Sequence, residues 1–425
     1  MDRRNFIGTA AAASGLLILK SKTAFGYEAN SAVRLALLGC GNRGTSVATS
    51  FANNTSARII ALGDLFPDQL EKGKAYFDKL NTSLGYAGPD SKLLFRGYKA
   101  FEEVASSKDI DAVQISTPPW FHPQHLDAVV TAGKHVYCEK PVAVDVAQAN
   151  QVLEIGKRAQ GRLSLDVGFQ LRSAPPYVEL VRRIHDGALG KIVSIDSHYN
   201  APASKYPDRP STMSADELRI RNWLWDRQLS GDILVEQNIH VIDICNWMLA
   251  SHPVKAFATG GRNVLTHFGD TWDNYQVDFT YPDNVHVTLS STQFGTLDWF
   301  DVSERVFGSI GLSESPYSGP VRIVGQNVWT WTADAPSQDE GKPAAFAANG
   351  AFSDNLAHAD QEKDRGFIQS ITSGKFHNQA EVGVESARSA MLGRMAGRLG
   401  REVTWDELLA HDEVYKLNIN MSQFK

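Results

Sequence analysis

An α/β fold in two parts is what this sequence predicts, and three observations predict it. Up to about Asp166, short apolar runs alternate with longer amphipathic ones, as repeated strand-helix-strand units do around a parallel sheet. A glycine-rich segment, Gly39-Cys40-Gly41-Asn42-Arg43-Gly44, follows the first apolar run and opens the first amphipathic one. Beyond Gly168 the rhythm changes to runs in which apolar and polar residues alternate, the pattern of half-exposed antiparallel strands.

Taken in order, the first part predicts strands over 33–38, 58–62, 112–116, 134–138 and 162–167, with helices over 43–52, 67–80, 122–132 and 146–160 between them. Residues 81–90, with Gly85, Gly88 and Pro89, read as a surface loop. In the second part a helix over 176–186 ends at Gly187. Strands follow over 192–199, 255–260, 275–281 and 285–293. The stretch 313–350, rich in Gly, Pro, Ser and Ala, reads as long surface loops. A final amphipathic helix over 384–399 closes at Gly400, and Thr404 is placed to cap a short helix through Leu409. The expected domains are therefore 31–166 and 167–425, behind a leader of about 30 residues (1–30).

That leader opens with Arg3-Arg4, continues through an apolar segment from Gly8 to Leu19, and ends in a polar stretch at Lys20-Ser21-Lys22. It resembles a twin-arginine export signal and predicts a periplasmic or otherwise exported protein. The apolar segment is shorter than the ~20 residues a spanning helix needs, and no second such run follows. No stable membrane span is expected after processing. The 425 residues are 43% hydrophobic and 21% charged, enough to bury a sizeable core. A formal charge of -6 offers no footprint for nucleic acid. The three cysteines, Cys40, Cys138 and Cys245, lack zinc-site spacing and read as buried thiols.

Four constellations carry chemistry. In Gly39-x-Gly41-x-x-Gly44 the glycines let backbone N–H groups approach a pyrophosphate, and the following helix adds its positive end. Asp64 ends the second strand, where a carboxylate accepts hydrogen bonds from an adenosine ribose diol. This favours NAD. Arg43 keeps NADP open as the less favoured cofactor, since a guanidinium there could face a 2'-phosphate. Thr117-Pro118 and His122 fall just after a strand of the same sheet, where His122 would wall the nicotinamide ribose. Glu139-Lys140-Pro141 ends the next strand. Proline there keeps Lys140 out of a helical conformation and forces an extended or cis turn, so the ammonium is held beside the cofactor crevice.

The fourth is Glu236-x-x-x-His240. If helical, these residues are neighbours on one face, where a carboxylate can orient an imidazole that accepts a proton near neutral pH. Two rival readings stand beside it: a structural ion pair, and a metal site drawing on Asp243 or His122. No zincin-type motif completes a ligand set, and no metal is expected.

These elements, in this order, resemble the Gfo/Idh/MocA family of glucose-fructose oxidoreductase, inositol dehydrogenase and MocA. The resemblance is carried also by Gly168-Phe169-Gln170-Leu171-Arg172 and spans Val33 to Trp405. It implies a Rossmann NAD(P)-binding domain followed by a large, mostly antiparallel open sheet that binds a sugar or cyclitol and often forms homo-oligomer contacts. It implies that Lys140 hydrogen-bonds the reacting hydroxyl, that His240 is the catalytic acid/base, and that Gln170 and Arg172 lie near nicotinamide and substrate. Asn42 and Glu139 join the cofactor contacts on the same ground. Many relatives carry aspartate where this chain has Glu236. Trp223 and Trp225 offer sugar-stacking faces, with buried core the competing reading. The implied activity is hydride transfer between a hydroxyl-bearing carbon of a sugar, glycoside or cyclitol and a tightly bound nicotinamide. Two alternatives stand: a redox-neutral, NAD-dependent glycoside hydrolase or epimerase working through a transient keto-sugar, and a non-catalytic sugar-binding protein.

Overall fold

The computed structural model describes residues 32–202, 212–295, 299–332, 354–411 and 413–425. The leader lies outside the described residues, as does 333–350 of the stretch read as loops.

Six strands form the first sheet: β1 (Arg34–Leu38), β2 (Arg58–Asp64), β3 (Leu94–Arg96), β4 (Ala112–Ile115), β5 (His135–Cys138) and β6 (Leu165–Val167). All pair in parallel, in the order β3-β2-β1-β4-β5-β6. The chain therefore reverses its winding between β1 and β4, and the crevice outside their carboxyl ends is the natural ligand site. Strands such as Leu35–Leu38 are buried on both faces because helices cover both, which is why they read as unbroken apolar runs.

One covering helix comes from the far end of the chain. Ala359–Ser373 sets Phe367 and Ile368 into the same apolar cluster as Leu35, Val47, Phe51 and Tyr137 of the first sheet and its helix Asn42–Asn54. The first core is thus completed by residues that lie between the last two strands of the second sheet in the chain.

The second sheet has nine strands: β7 (Ile192–Pro202), β8 (Lys255–Gly261), β9 (Asn274–Tyr281), β10 (Val285–Gly295), β11 (Asp301–Gly308), β12 (Gly311–Pro316), β13 (Arg322–Gly325), β14 (Trp329–Thr330) and β15 (Val403–Thr404). Their order is β14-β13-β12-β11-β7-β10-β9-β8-β15. Among the described residues only the central β7–β10 pair is parallel. Helices Ile239–Leu249 and Ala380–Leu399 pack on its inner face, meeting Val277, Phe279 and Leu289. At Gly393 an added Cβ would stand 3.0 Å from the Phe279 ring, so glycine permits the close approach of helix to sheet. The outer face is polar, with Thr288 bonded to Asp196, and Arg305 and Arg322 to Glu314.

The sequence missed β11 to β14 and read part of them as loop. Two polar side chains, Glu304 and Ser315, occupy inward positions there and break the apolar alternation. Gly400 ends the long helix with φ +65, and Thr404 caps Trp405–Ala410 through Glu407 N–H, both as expected. All three cysteines are free and buried. No described helix is long and apolar enough to cross a membrane.

Candidate active site

The glycine turn is built for close backbone approach. Gly39 has φ +98, and a Cβ there would stand 2.6 Å from the Ser116 carbonyl oxygen of the neighbouring strand end. At Gly44 a Cβ would collide with the Gly39 carbonyl, whereas nothing lies within 4 Å of a Cβ at Gly41. Gly41 is the N-cap of helix Asn42–Asn54 and brings no capping side chain, so the first-turn N–H groups face an open approach. Asp64 is fixed by two backbone donors, Cys40 N–H to Oδ2 at 2.7 Å and Phe66 N–H to Oδ1 at 2.9 Å. Burial pushes its pKa up and these two bonds pull it down. A pyrophosphate cradle with a buried acceptor beyond it fits a dinucleotide.

Arg43 does not face that ribose end. Its Nε donates to Glu139 Oε1 at 3.0 Å, and its Nη1 and Nη2 donate to Asp360 at 2.8 and 3.1 Å. Asp360 lies on the returning helix Ala359–Ser373 and also accepts from Lys363 at 2.6 Å. The guanidinium is consumed in tying the glycine turn to Glu139 and to that helix, so the basis for NADP at this residue falls away. Glu139 also accepts from Tyr137 Oη at 3.2 Å and abuts Gly168, where any Cβ would stand 2.6 Å from its Oε2.

The Lys140-Pro141 bond is cis. His122, expected as a wall for the nicotinamide ribose, instead braces this turn from within. It is buried, with Nδ1 and Nε2 each 2.7 Å from the carbonyl oxygens of Pro141 and Thr117. Burial lowers its pKa. Thr117 Oγ1 meets His125 Nδ1 at 3.0 Å, and burial takes His125 down to about 3, so that imidazole is neutral. Pro118 lies between Thr117 and the short turn Pro119–Phe121.

Lys140 Nζ donates to Glu236 Oε1 at 2.8 Å and to the Glu236 backbone oxygen at 2.6 Å. Here the expected pairing of Glu236 with His240 is corrected. The helix is broken between Ile233–Glu236 and Ile239–Leu249, and Asn238 N–H bonds back five residues to Ile233 oxygen at 2.9 Å. That widened turn interrupts the regular helix between the two residues, a distortion often found at functional sites, and among the described residues no hydrogen bond joins the Glu236 carboxylate to His240. A buried ammonium needs a counter-charge, and Lys140 takes the carboxylate.

His240 is buried, and among the described residues its Nδ1 has no hydrogen-bond partner; Glu236 Oε2 and Asn238 Oδ1 are likewise unpartnered there. Burial first, then the positive charges of Lys140 and Arg43, hold His240 well below the usual histidine pKa. The imidazole is neutral and free to accept a proton. One ammonium with a spare N–H thus stands near one uncharged base at the mouth of a dinucleotide crevice.

The other expected contacts divide. Gln170 is buried at the start of the short turn Gln170–Ser173. Arg172 is not available as a free substrate ligand, because its Nε and Nη2 grip the buried Asp243 carboxylate at 2.9 to 3.1 Å. Ser386 Oγ donates to the same carboxylate at 2.7 Å, joining the two segments to the long helix. Trp225 is buried, with its backbone oxygen receiving Asp270 N–H, and presents no open stacking face. Trp223 is half-buried against a small cluster of Phe121, Leu229 and Leu417. Sequence reasoning missed Asp360, Lys363 and Asn238. The first two sit in a helix whose buried face is interrupted by charge, and no motif marks the third.

Glycine cradle, buried ribose-end carboxylate and lysine-histidine pair define an oxidoreductase with a Rossmann dinucleotide domain and a second domain built on an open sheet. The chain belongs to the Gfo/Idh/MocA family. Residues 33–167 match its oxidoreductase domain with NAD-binding Rossmann fold, and residues 177–312 match its C-terminal domain. Inositol 2-dehydrogenase of Rhizobium meliloti (strain 1021) is 26% identical over 296 residues, 68% of this chain and 78% of that protein. Two solved structures share the fold, each aligning with 88% of this chain and 99% of the other. They are scyllo-inositol dehydrogenase from Lactobacillus casei with bound NAD(H) and scyllo-inositol (TM-score 0.65, 20% identity) and aldose-aldose oxidoreductase from Caulobacter crescentus complexed with glycerol (TM-score 0.65, 21% identity).

Proposed function

We propose that this protein moves a hydride between a hydroxyl-bearing carbon of a sugar, glycoside or cyclitol and a nicotinamide held in the first domain. The observation that carries the reading is the state of the Lys140 ammonium. Two of its directions are fixed by Glu236 at 2.6 and 2.8 Å, leaving a third N–H for a substrate oxygen. His240 accepts the hydroxyl proton on its unpartnered imidazole, and Lys140 stabilises the oxygen as negative charge develops. Glu236 positions the ammonium rather than the imidazole. Bound NAD supplies the hydride acceptor; Gly39, Gly41 and Gly44 would admit its pyrophosphate and Asp64 its ribose diol. The half-buried Trp223 ring remains available to a sugar face.

The substrate class rests on the site's hydrogen-bonding chemistry and on the inositol and aldose activities named for the relatives. The leader supports export through the twin-arginine route, which carries folded proteins. Outside the cytoplasm no free nicotinamide pool is dependable, so the dinucleotide stays bound and is recycled, by oxidising one sugar and reducing another or through a transient keto-sugar. The second sheet supplies a homo-oligomer face.

Lys140→Met tests the reading. It should lower turnover with a sugar or cyclitol panel by about 1,000-fold or more while leaving NAD binding nearly unchanged. Unchanged turnover would remove Lys140 from the chemistry.

A further inference from the structure

The ribose end of the crevice carries a guanidinium that no sequence motif announced. Arg221 ends helix Ala215–Arg221 of the second domain and reaches across to the first. Its carbon centre lies 3.9 Å from the centroid of the Phe66 ring, and the Phe66 N–H is one of the two donors that fix Asp64. Phe424, from the end of the chain, packs edge-on against the same ring at 5.7 Å, and its backbone oxygen accepts from Tyr98 N–H at 3.0 Å. A planar cation is therefore parked beside the carboxylate assigned to the ribose diol.

Every arm of that cation is occupied. Nη1 and Nη2 donate to Asp68 at 3.1 and 2.7 Å, and Nε donates to Glu217 Oε1 at 2.8 Å. Asp68 stands in the first turn of helix Pro67–Ser83, four residues after Asp64. Three carboxylates, Asp64, Asp68 and Glu217, thus surround one guanidinium. A fork of this shape matches phosphate as well as carboxylate, so its availability decides whether a 2'-phosphate finds a partner here.

We infer that Asp68 is a cofactor-specificity latch: by holding Arg221 across the domain boundary it denies NADP the guanidinium that would otherwise receive its 2'-phosphate. The inference rests on Asp64 as the ribose-diol acceptor and adds what that reading lacks, namely why a nearby arginine does not confer NADP binding. With Asp68 in place three carboxylates stand against one guanidinium whose two terminal nitrogens are both taken. Without it, Arg221 stays stacked on Phe66 and bonded to Glu217, with Nη1 and Nη2 free. The Arg221 hydrogen bonds also hold the Asp68 carboxyl below its usual range, so the latch stays ionised at neutral pH.

The test is equilibrium titration of the full chain with NADH and NADPH, followed by nicotinamide fluorescence. Asp68→Asn should tighten NADPH by about 10-fold, the worth of one charge-assisted pair, and leave NADH nearly unchanged. Adding Arg221→Ala to that variant should abolish the gain. An Asp68→Asn protein with unchanged NADPH affinity, or a gain that survives loss of Arg221, would overturn the latch. Asp64→Asn separates the two levels: it should weaken NADH by about 10-fold, and if it does not, the ribose end has been misplaced and both readings fall.

Discussion

Two buried glutamates of the second domain set the crevice apart from the core behind it. Glu236 lies at the crevice and is joined to the Lys140 ammonium at 2.8 Å. Glu304 lies on the inner face of the second sheet, paired across the strands with Ser197 and Ser315, and among the described residues its carboxyl accepts only the Ser315 hydroxyl at 2.9 Å. Among the described residues its other oxygen has no partner, and neither have the hydroxyls of Ser313 and Tyr317. Burial without a cation pushes Glu304 up to about 8, so it is mostly protonated at neutral pH. The same side chain faces an ammonium in one place and holds its own proton in the other, where no cation among the described residues bonds to it.

Loss of the Glu236 carboxylate should cost the most after loss of the Lys140 ammonium itself. Glu236→Gln removes the counter-charge that pins Lys140 and should lower turnover by about 100- to 1,000-fold with NADH affinity retained; steady-state kinetics and nucleotide titration separate the two. A smaller loss than for Lys140→Met is expected, since the Glu236 backbone oxygen still receives the ammonium.

The next effect comes from the core. Glu304→Gln keeps the shape of the protonated acid and ends its penalty, so the variant should gain stability at pH 7, on the order of 3 kcal/mol, measured by denaturant unfolding. The sign follows from the protons. Between about 4.5 and 8 the folded Glu304 carboxyl holds a proton that the unfolded chain has released. Its contribution to stability therefore falls as pH rises through that window, with a slope of at most about 1.4 kcal/mol per pH unit, and that slope should vanish in the variant. A variant less stable than the parent at pH 7 would show that the carboxyl is ionised.

A milder change is expected in the pH profile. His240 is held below its usual range by burial and by Lys140 and Arg43. The acid limb of the kcat/KM profile should then lie below pH 6.5, because the base form survives to lower pH. In Lys140→Met any residual activity should show that limb moved upward. A limb at or above 6.5 in the parent would break the claim that the crevice keeps its base neutral.

Much of the crevice was legible in the sequence because its parts are local. A glycine turn, a carboxylate at a strand end and a lysine before proline each declare themselves within a few residues. Side-chain destinations were not legible. The i,i+4 rule placed Glu236 beside His240, but the helix breaks at the widened turn through Asn238 and the carboxylate goes to Lys140. Arg43 and Arg172 read as free cations; both are consumed by carboxylates distant in sequence, Asp360 and Asp243. Helix Ala359–Ser373 was invisible because Lys363 and Asp364 interrupt its buried face.

By itself, then, the sequence determined where the chain turns, where backbone can approach a pyrophosphate, and which side chains are capable of acid-base work. Those properties depend on steric freedom and on residue type, which neighbours in the chain suffice to set. Which charges neutralise one another is settled in three dimensions: Lys140 with Glu236, Arg43 with Asp360, Arg221 with Asp68, and, among the described residues, Glu304 with no cation. Coulomb and desolvation energies depend on distance in space, and the fold brings the paired groups together across 96 to 317 residues of chain.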